Sequence, residues 1–252
     1  MSGESRRAAA RERIAAERAA EAAARAAEVR RRRTVLGGVV AALVLVVVLV
    51  AVVVLQTQRT SAAADAAAPA NTSGNGYVFA VGAATAPVTL DLYEDFQCPN
   101  CKALEDSTGS TIDDLVAAGT VQVHHHGMAF LDTDANDRYS TRALNAAAVV
   151  ANAAGTDAYA TFHDLLFAHQ PEEGGSGLTD DQLIAYAAQA GASGPAVDSG
   201  IRDLRYGDWV AQSEDQASKD GVTGTPTLLV DGRQLSDLTP AGLTAAVTAA
   251  QQ

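Results

Sequence analysis

Two cysteines are the feature that most restricts what this chain can form. The 252-residue sequence contains only Cys98 and Cys101, with two residues between them. A secreted fold stabilised by disulfides needs more cysteines at wider spacing, and a structural zinc site usually needs four ligands. A single isolated C-x-x-C therefore favours a redox-active dithiol, with an inert local disulfide and half of a zinc site as the alternatives.

The charge of the chain is divided unevenly along its length. Residues 1–33 hold ten of the 18 basic residues and five of the 30 acidic ones, which gives +5 there and −17 in the remainder. Nucleic-acid binding needs a basic face against the phosphates, so the acidic remainder argues against it. We expect residues 1–33 to be a solvated cytoplasmic tail rich in Arg, Ala and Glu.

An uninterrupted apolar run, Val35–Leu55, follows this tail. As a helix its 21 residues would span about 31 Å, the thickness of a hydrocarbon core. Arg30–Arg33 stand just before the run, and Arg59 is the one basic residue soon after it. The positive-inside rule therefore predicts a transmembrane helix at residues 34–55 with the following chain outside the cytoplasm.

The competing interpretation of the apolar run is a cleaved signal peptide, with Ala62–Ala64 as the cleavage site. The run is longer than the apolar core of a signal peptide, which favours an uncleaved anchor in the cell membrane. Residues 56–76 are built of small and polar residues and predict a flexible linker. Residues 77–252 are then expected to be one extracytoplasmic domain.

Beyond the linker, apolar residues have the spacing of a strand in some segments and the spacing of a helix in others. A strand leads directly into the cysteine pair and a helix follows, an α/β order that is most economically packed as a central sheet with helices on both faces. The predicted elements are strands at Tyr77–Val81 and Val88–Tyr93, a helix after Cys98, a strand at Val121–His126, helices at about 138–218, a strand at Pro226–Val230 and a helix at Pro240–Ala250.

The cysteine spacing suits thiol–disulfide exchange when the first cysteine begins a helix. Unpaired N–H groups and the partial positive charge at the helix end would stabilise a Cys98 thiolate and lower its pKa. Pro99 suits the first helical position, where its missing N–H costs nothing. Cys101 would lie one turn inward as the more buried, resolving thiol.

The segment Tyr93–Cys101, YEDFQCPNC, resembles the active-site segment of DsbA-like thioredoxin-fold proteins. Gly224–Thr227, GTPT, resembles that family's second hallmark, a cis-proline loop that faces the disulfide. The resemblance covers about residues 76–250. It implies an α/β thioredoxin fold with a helical insertion and a redox-active disulfide between Cys98 and Cys101. It also implies a loop at Thr225 and Pro226 that faces substrate, and activity as a protein thiol–disulfide oxidoreductase, either oxidase or isomerase.

Two positions depart from the family pattern. Many members carry an acidic residue six positions before the first cysteine, where this chain has Leu92; Asp91, Glu94 and Asp95 are nearby. Strongly oxidising members have His as the second residue between the cysteines, where this chain has Asn100. We therefore expect a nucleophilic thiol whose pKa is lowered but not extreme, and a disulfide that is a milder oxidant.

The expected partners are exported proteins, whose thiols or disulfides are the substrates, and a redox partner in the membrane that recycles the site. No cofactor is expected. Two alternative functions remain open: an exported thioredoxin-like reductant, and a non-enzymatic chaperone or binding module on the same fold.

The five histidines do not predict a metal site. In a strand His124 and His126 share one face and His125 lies on the other, and no Asp, Glu or Cys ligand set is evident around them. His163 and His169 fall in the helical block, where we expect them at the surface or in a groove.

Overall fold

The computed structural model describes residues 66–252. The predicted tail at residues 1–33, the predicted transmembrane helix at residues 34–55 and the first part of the linker lie outside the described residues. Within residues 66–252, no helix has both the length and the apolar character needed to cross a membrane.

A mixed β-sheet lies at the centre of the described chain. Its strands are β1 (Phe79–Val81), β2 (Val88–Glu94), β3 (Val121–Gly127), β4 (Thr227–Val230) and β5 (Arg233–Gln234). They are arranged in the order β1-β3-β2-β4-β5. β2 and β3 are parallel, and the other neighbouring pairs are antiparallel. Buried positions alternate along β3 and along the first part of β2, as expected for strands whose two faces meet different surroundings.

Helices cover both faces of this sheet. They are α1 (Pro99–Ala117), α2 (Tyr139–Ala154), α3 (Thr156–Ala168), α4 (Asp180–Gln189), α5 (Pro195–Arg202), α6 (Gly207–Lys219) and α7 (Pro240–Ala250). α1 and α7 pack with the sheet in one apolar cluster that includes Leu90 and Val123. α6 contributes Ala217 to a smaller cluster with Tyr93, whose neighbour in the strand, Leu92, belongs to the first cluster. The two-faced packing expected from the order of the elements is confirmed.

Helices α2–α6 lie between β3 and β4, where the sequence predicted a helical insertion. α2 is its central helix, and most of its side chains are buried, because a run of alanines lets neighbouring helices approach closely. The buried Asn145 side chain donates to the carbonyls of Gly200 and Ile201, each at 3.2 Å, and accepts from the Tyr206 N–H at 2.8 Å. This amide therefore links α2 to the end of α5 and the start of α6.

The end of the predicted linker contacts this helical insertion. The Ala70 N–H donates to Asn152 Oδ1 at 3.0 Å, and the Asn71 side chain donates to the Ala151 carbonyl at 2.9 Å. The indole N–H of Trp209 donates to the Gly76 carbonyl at 2.7 Å. These three bonds hold residues 70–76 against α2 and α6.

Candidate active site

Cys98 lies where β2 and its following turn meet the first residue of α1. It has an extended backbone (φ −75°, ψ 117°) as the N-cap, and Pro99 is at the start of the helix, as the sequence predicted. The Cys98 N–H donates to the Asp95 carbonyl at 2.9 Å, and the Cys98 carbonyl accepts from the Cys101 and Lys102 N–H groups, each at 3.1 Å. The reactive segment is therefore fixed by main-chain hydrogen bonds on both sides.

The two thiols have opposite pKa shifts. The hydrogen bond from Cys101 lowers the pKa of Cys98 to about 5 in spite of burial, with help from the Thr225 side chain and the N–H groups of Cys101 and Asn100. The same interaction with Cys98, together with burial, raises the pKa of Cys101. Near neutral pH, Cys98 is therefore the thiol that ionises and Cys101 the one that stays protonated, and the expected lowering of the Cys98 pKa is confirmed.

Access to the site is narrow. Cys98 is 6% exposed and Cys101 is 3% exposed, whereas Pro99 and Asn100 between them are exposed. An incoming sulfur can thus approach Cys98 from the Pro99–Asn100 side of the helix end, while Cys101 stays covered. Cys98 is the more accessible of the two sulfurs, as the sequence predicted.

The second predicted hallmark meets the first in space. The Thr225–Pro226 peptide bond is cis. The Thr225 carbonyl oxygen lies 3.5 Å from Cys98 Sγ, across 127 residues of sequence. Thr225 and Pro226 are both partly exposed beside the buried thiol. They are therefore placed to contact a chain that reaches Cys98.

The helical insertion holds the active-site segment through two glutamines that sequence reasoning missed. The Gln170 side chain, just beyond α3, donates to the Cys98 carbonyl at 3.0 Å. The buried Gln97 side chain donates to the carbonyls of Glu172 at 3.2 Å and Gly175 at 2.9 Å. No local pattern marks these residues, because their partners become neighbours only after the insertion has folded.

Asp95 organises the turn that precedes Cys98. Its buried carboxylate accepts hydrogen bonds from the Gln97 N–H at 2.8 Å, the Leu131 N–H at 3.0 Å and the Ser140 hydroxyl at 2.7 Å. Burial raises the pKa of Asp95 to about 6, although these donors oppose the shift. The carboxylate therefore ties the active-site turn to the loop after β3 and to α2.

The acidic residue on the disulfide side of the sheet is Glu94. Leu92, at the position where the family often has an acid, is buried in the apolar cluster under α1. Glu94 has the same strand parity and is fully enclosed, with Oε1 2.8 Å from His125 Nδ1 and 2.9 Å from His163 Nε2. Its charge contributes to the raised pKa of Cys101. Asp91 instead contacts His124 and His126 on the opposite face.

The expectation that His163 lies at the surface or in a groove is wrong. Its side chain is 3% exposed, because α3 packs against β1 and turns this ring towards Glu94. Burial opposes a charged ring, but the Glu94 carboxylate outweighs it and raises the pKa of His163 to about 10. Burial likewise opposes the Glu94 carboxylate, and the imidazoles nevertheless lower its pKa to about 2.

Titration of the reduced protein tests the assignment of the nucleophile. Thiolate absorbance is expected to show one transition near pH 5 from Cys98, with Cys101 still protonated well above neutral pH. The Cys101→Ser variant should keep an acidic transition and the Cys98→Ser variant should lose it. A single transition at about pH 8.5, the pKa of a free cysteine, would contradict the assignment.

Removal of the Thr225 hydroxyl tests the role of the cis-proline loop in the thiolate environment. Thr225→Val keeps the shape of the side chain but loses a donor that helps to lower the Cys98 pKa. One hydrogen bond of about 1 kcal/mol corresponds to a rise of about 0.7 pH units in that pKa. The same absorbance titration measures the rise. An unchanged Cys98 pKa would show that this hydroxyl does not act on the thiolate.

Comparison with known proteins agrees with this geometry. A sequence model of the thioredoxin family, described as Thioredoxin, matches residues 74–249. The chain resembles the reduced form of the disulfide bond oxidoreductase DsbG from Mycobacterium tuberculosis, with 31% identity, a TM-score of 0.64, and coverage of 71% of this chain and 89% of that one. It also resembles reduced DsbA from the same organism, with 30% identity, a TM-score of 0.63, and coverage of 70% and 93%.

A curated relative shares a shorter segment. The serine/threonine-protein kinase PknE from Mycobacterium tuberculosis is 34% identical over 125 residues, which make up 48% of this chain and 22% of the kinase. The chain spans about a fifth of the length of the curated relatives that it matches. The family match covers residues 74–249, and the structural likenesses to DsbG and DsbA cover 71% and 70% of the chain. The chain therefore belongs to the thioredoxin family, and within that family it is a DsbA-like thioredoxin-fold protein of the thiol–disulfide oxidoreductase group.

Proposed function

We propose that the chain oxidises thiols of exported proteins, with the Cys98–Cys101 disulfide as the electron acceptor. A substrate thiolate attacks Cys98 Sγ, the Cys98–Cys101 bond breaks, and the electron pair leaves on Cys101, which takes up a proton. A second substrate thiolate attacks the substrate sulfur of the mixed disulfide and expels the Cys98 thiolate. The substrate thus loses two electrons and gains a disulfide, and the site becomes a dithiol.

The observation that supports electron transfer from the substrate to the Cys98–Cys101 disulfide is the lowered pKa of Cys98. A thiolate with a pKa of about 5 is a good leaving group and stabilises the reduced form, which makes the disulfide oxidising. The value lies between about 3.5 and about 7, the values for DsbA and for thioredoxin. An intermediate oxidant agrees with the uncharged Asn100 between the cysteines.

Substrate binding in this proposal uses the cis-proline loop. Thr225 and Pro226 are partly exposed beside Cys98, so the Thr225 main chain is available to pair with an extended substrate segment. Such pairing would hold a substrate sulfur next to Cys98 without selecting a particular side chain. It suits an enzyme that acts on many exported proteins.

The place of action is proposed from the sequence that precedes the described residues. The apolar run at residues 34–55 and the arginines before it support a single-pass anchor with the tail of residues 1–33 inside the cell. Residues 56–76 would then connect the membrane to the catalytic domain of residues 77–252. A redox partner in the same membrane would accept the electrons and restore the disulfide.

The redox state of the cysteines in living cells tests this function. After acid quenching, a thiol-reactive mass tag should leave Cys98 and Cys101 mainly unlabelled, since an oxidase rests as the disulfide. Reduction before labelling should add two tags, and the Cys101→Ser variant calibrates the addition of one. Cysteines found mainly reduced in untreated cells would contradict the oxidase and support the exported reductant.

A further inference from the structure

We propose that Glu94, His125 and His163 form a binding site for one divalent transition-metal ion of the zinc type. The three residues come from β2, β3 and α3, so an ion bound there would connect the sheet to the helical insertion. One donor atom from each residue lies within 4.8 Å of the other two. Neither cysteine is a ligand in this site, so metal binding can be measured without redox activity.

Two of the three pairs of donor atoms are already close to the spacing that a metal requires, and the third pair lies within 4.8 Å. Glu94 Oε1 lies 2.8 Å from His125 Nδ1 and 2.9 Å from His163 Nε2. In a tetrahedral zinc site with bonds of about 2.0–2.1 Å, neighbouring donor atoms are about 3.3 Å apart. The side chains would therefore separate by about half an ångström to admit the ion, a shift within the reach of side-chain rotation.

The chemistry of the donors selects the class of ion. Two imidazole nitrogens and one carboxylate oxygen suit zinc and similar transition metals, whereas calcium and magnesium prefer all-oxygen sites. The other ring nitrogen of His163, Nδ1, lies 3.3 Å from Asp164 Oδ1. A carboxylate in that position orients a metal-binding imidazole, as in carboxylate–histidine–zinc arrangements.

A cavity beside two of the three residues, His125 and His163, offers space for a fourth ligand. It has a volume of about 60 Å³ and is lined in part by His125, His163, Glu105, Asp113 and Asp164. That space is sufficient for a water molecule, and the three carboxylates would attract a cation towards the histidines. The site therefore has three protein ligands and room for water.

Binding must displace a proton. In the metal-free protein the Glu94 carboxylate, which can only accept, lies within hydrogen-bond distance of His125 Nδ1 and His163 Nε2, so each of these nitrogens carries a hydrogen. The incoming ion takes the lone pairs of these two nitrogens, and the hydrogens that they carried move to the other ring nitrogen or to water, so that both histidines bind as neutral rings. The site then carries one net positive charge, which the neighbouring Glu105 and Asp164 carboxylates partly offset.

A second cluster of similar composition provides a built-in comparison. Asp91 Oδ1 lies 2.9 Å from His126 Nε2 and 3.4 Å from His124 Nδ1 on the opposite face of the sheet. Those side chains are between 14% and 26% exposed, and they come from two strands, β2 and β3, without a helix. This cluster, and the group formed by Glu105, His163 and Asp164, are the competing locations among the described residues for an ion that binds through histidine.

The test uses the full chain without a polyhistidine tag and with Cys98→Ser and Cys101→Ser, since this variant has no thiol ligand. Cobalt(II) serves as the probe, with binding measured by its visible spectrum and by metal analysis. We expect the protein to bind one equivalent of cobalt(II) with the intense visible spectrum of a four-coordinate site. Zinc(II) should displace this cobalt. Adding His124→Ala and His126→Ala should leave this equivalent intact, whereas adding His125→Ala or His163→Gln should abolish it.

Two results would overturn the proposal. One is the absence of stoichiometric cobalt in the folded protein that retains all five histidines. The other is loss of the equivalent when His124 and His126 are replaced. Both results are measured on proteins that keep Glu94, His125 and His163, so they hold even if the His125 and His163 variants do not fold.

Discussion

Replacing Cys98 with serine is expected to abolish disulfide exchange, whereas replacing Cys101 with serine should stop the reaction one step later. Without Cys98 the chain has no thiol with a lowered pKa, because the remaining Cys101 is the more buried thiol and its pKa is raised. Without Cys101 the Cys98 thiolate remains and can still be captured by a substrate disulfide, but no second thiol resolves the product. The measurements are refolding of reduced ribonuclease and reduction of insulin.

The two variants differ in what accumulates. The Cys101→Ser protein should form a mixed disulfide with substrate that is visible on a non-reducing gel, and the Cys98→Ser protein should not. Activity near that of the unmodified chain in the Cys98→Ser protein would show that another group carries the chemistry. The reverse pattern, with a mixed disulfide that forms on Cys101 in the Cys98→Ser protein, would show that the roles of the two cysteines are the opposite of those proposed.

Replacing Glu94 with glutamine should lower the free energy of unfolding by about 3–5 kcal/mol, the usual effect of breaking a buried ion pair. The carboxylate lies between His125 and His163 with almost no exposure, and glutamine keeps its shape but not its charge. Urea unfolding at pH 6 measures the loss. Asp106→Asn is the matched control, because this exposed carboxylate pairs with Lys102 at the helix surface and should change stability by less than about 0.5 kcal/mol.

The loss caused by Glu94→Gln should depend on pH in a defined way. The lowered pKa of Glu94 stabilises the fold above its ordinary value of 4.5, and this contribution is lost as the pH falls towards about 2. The raised pKa of His163 stabilises the fold below its ordinary value of 6.5, and this contribution is lost as the pH rises towards about 10. The difference between the two proteins should be largest between about pH 4.5 and 6.5. An equal difference at pH 6 and pH 10 would contradict the ion pair.

The features that the sequence predicted well are those with a local cause. Pro99 after Cys98 predicts a helix start, and the helix does begin there. Alternation along Val88–Tyr93 predicted β2, which ends one residue later at Glu94. The GTPT segment predicted the cis-proline loop beside Cys98, and its Thr225–Pro226 bond is cis, as the resemblance implied.

The features that the sequence did not predict depend on contacts between distant segments. Strand parity places Glu94 on the same face as Leu92, and His125 on the same face as Val123, but the sequence has no signal that brings His163 to them. His163 lies 69 residues beyond Glu94 and meets it because the insertion packs against the edge of the sheet. Gln170 reaches the Cys98 carbonyl for the same reason.

The proposed oxidase function depends most directly on the equilibrium between the Cys98–Cys101 disulfide and the dithiol. Its reduction potential is measured by equilibrating the full chain with glutathione buffers, quenching with acid and counting free thiols. The lowered Cys98 pKa predicts one two-electron couple with a potential between about −270 mV and about −120 mV, the values for thioredoxin and for DsbA. A potential at or below about −270 mV, or cysteines that do not equilibrate with glutathione, would contradict a role as an oxidant of exported proteins.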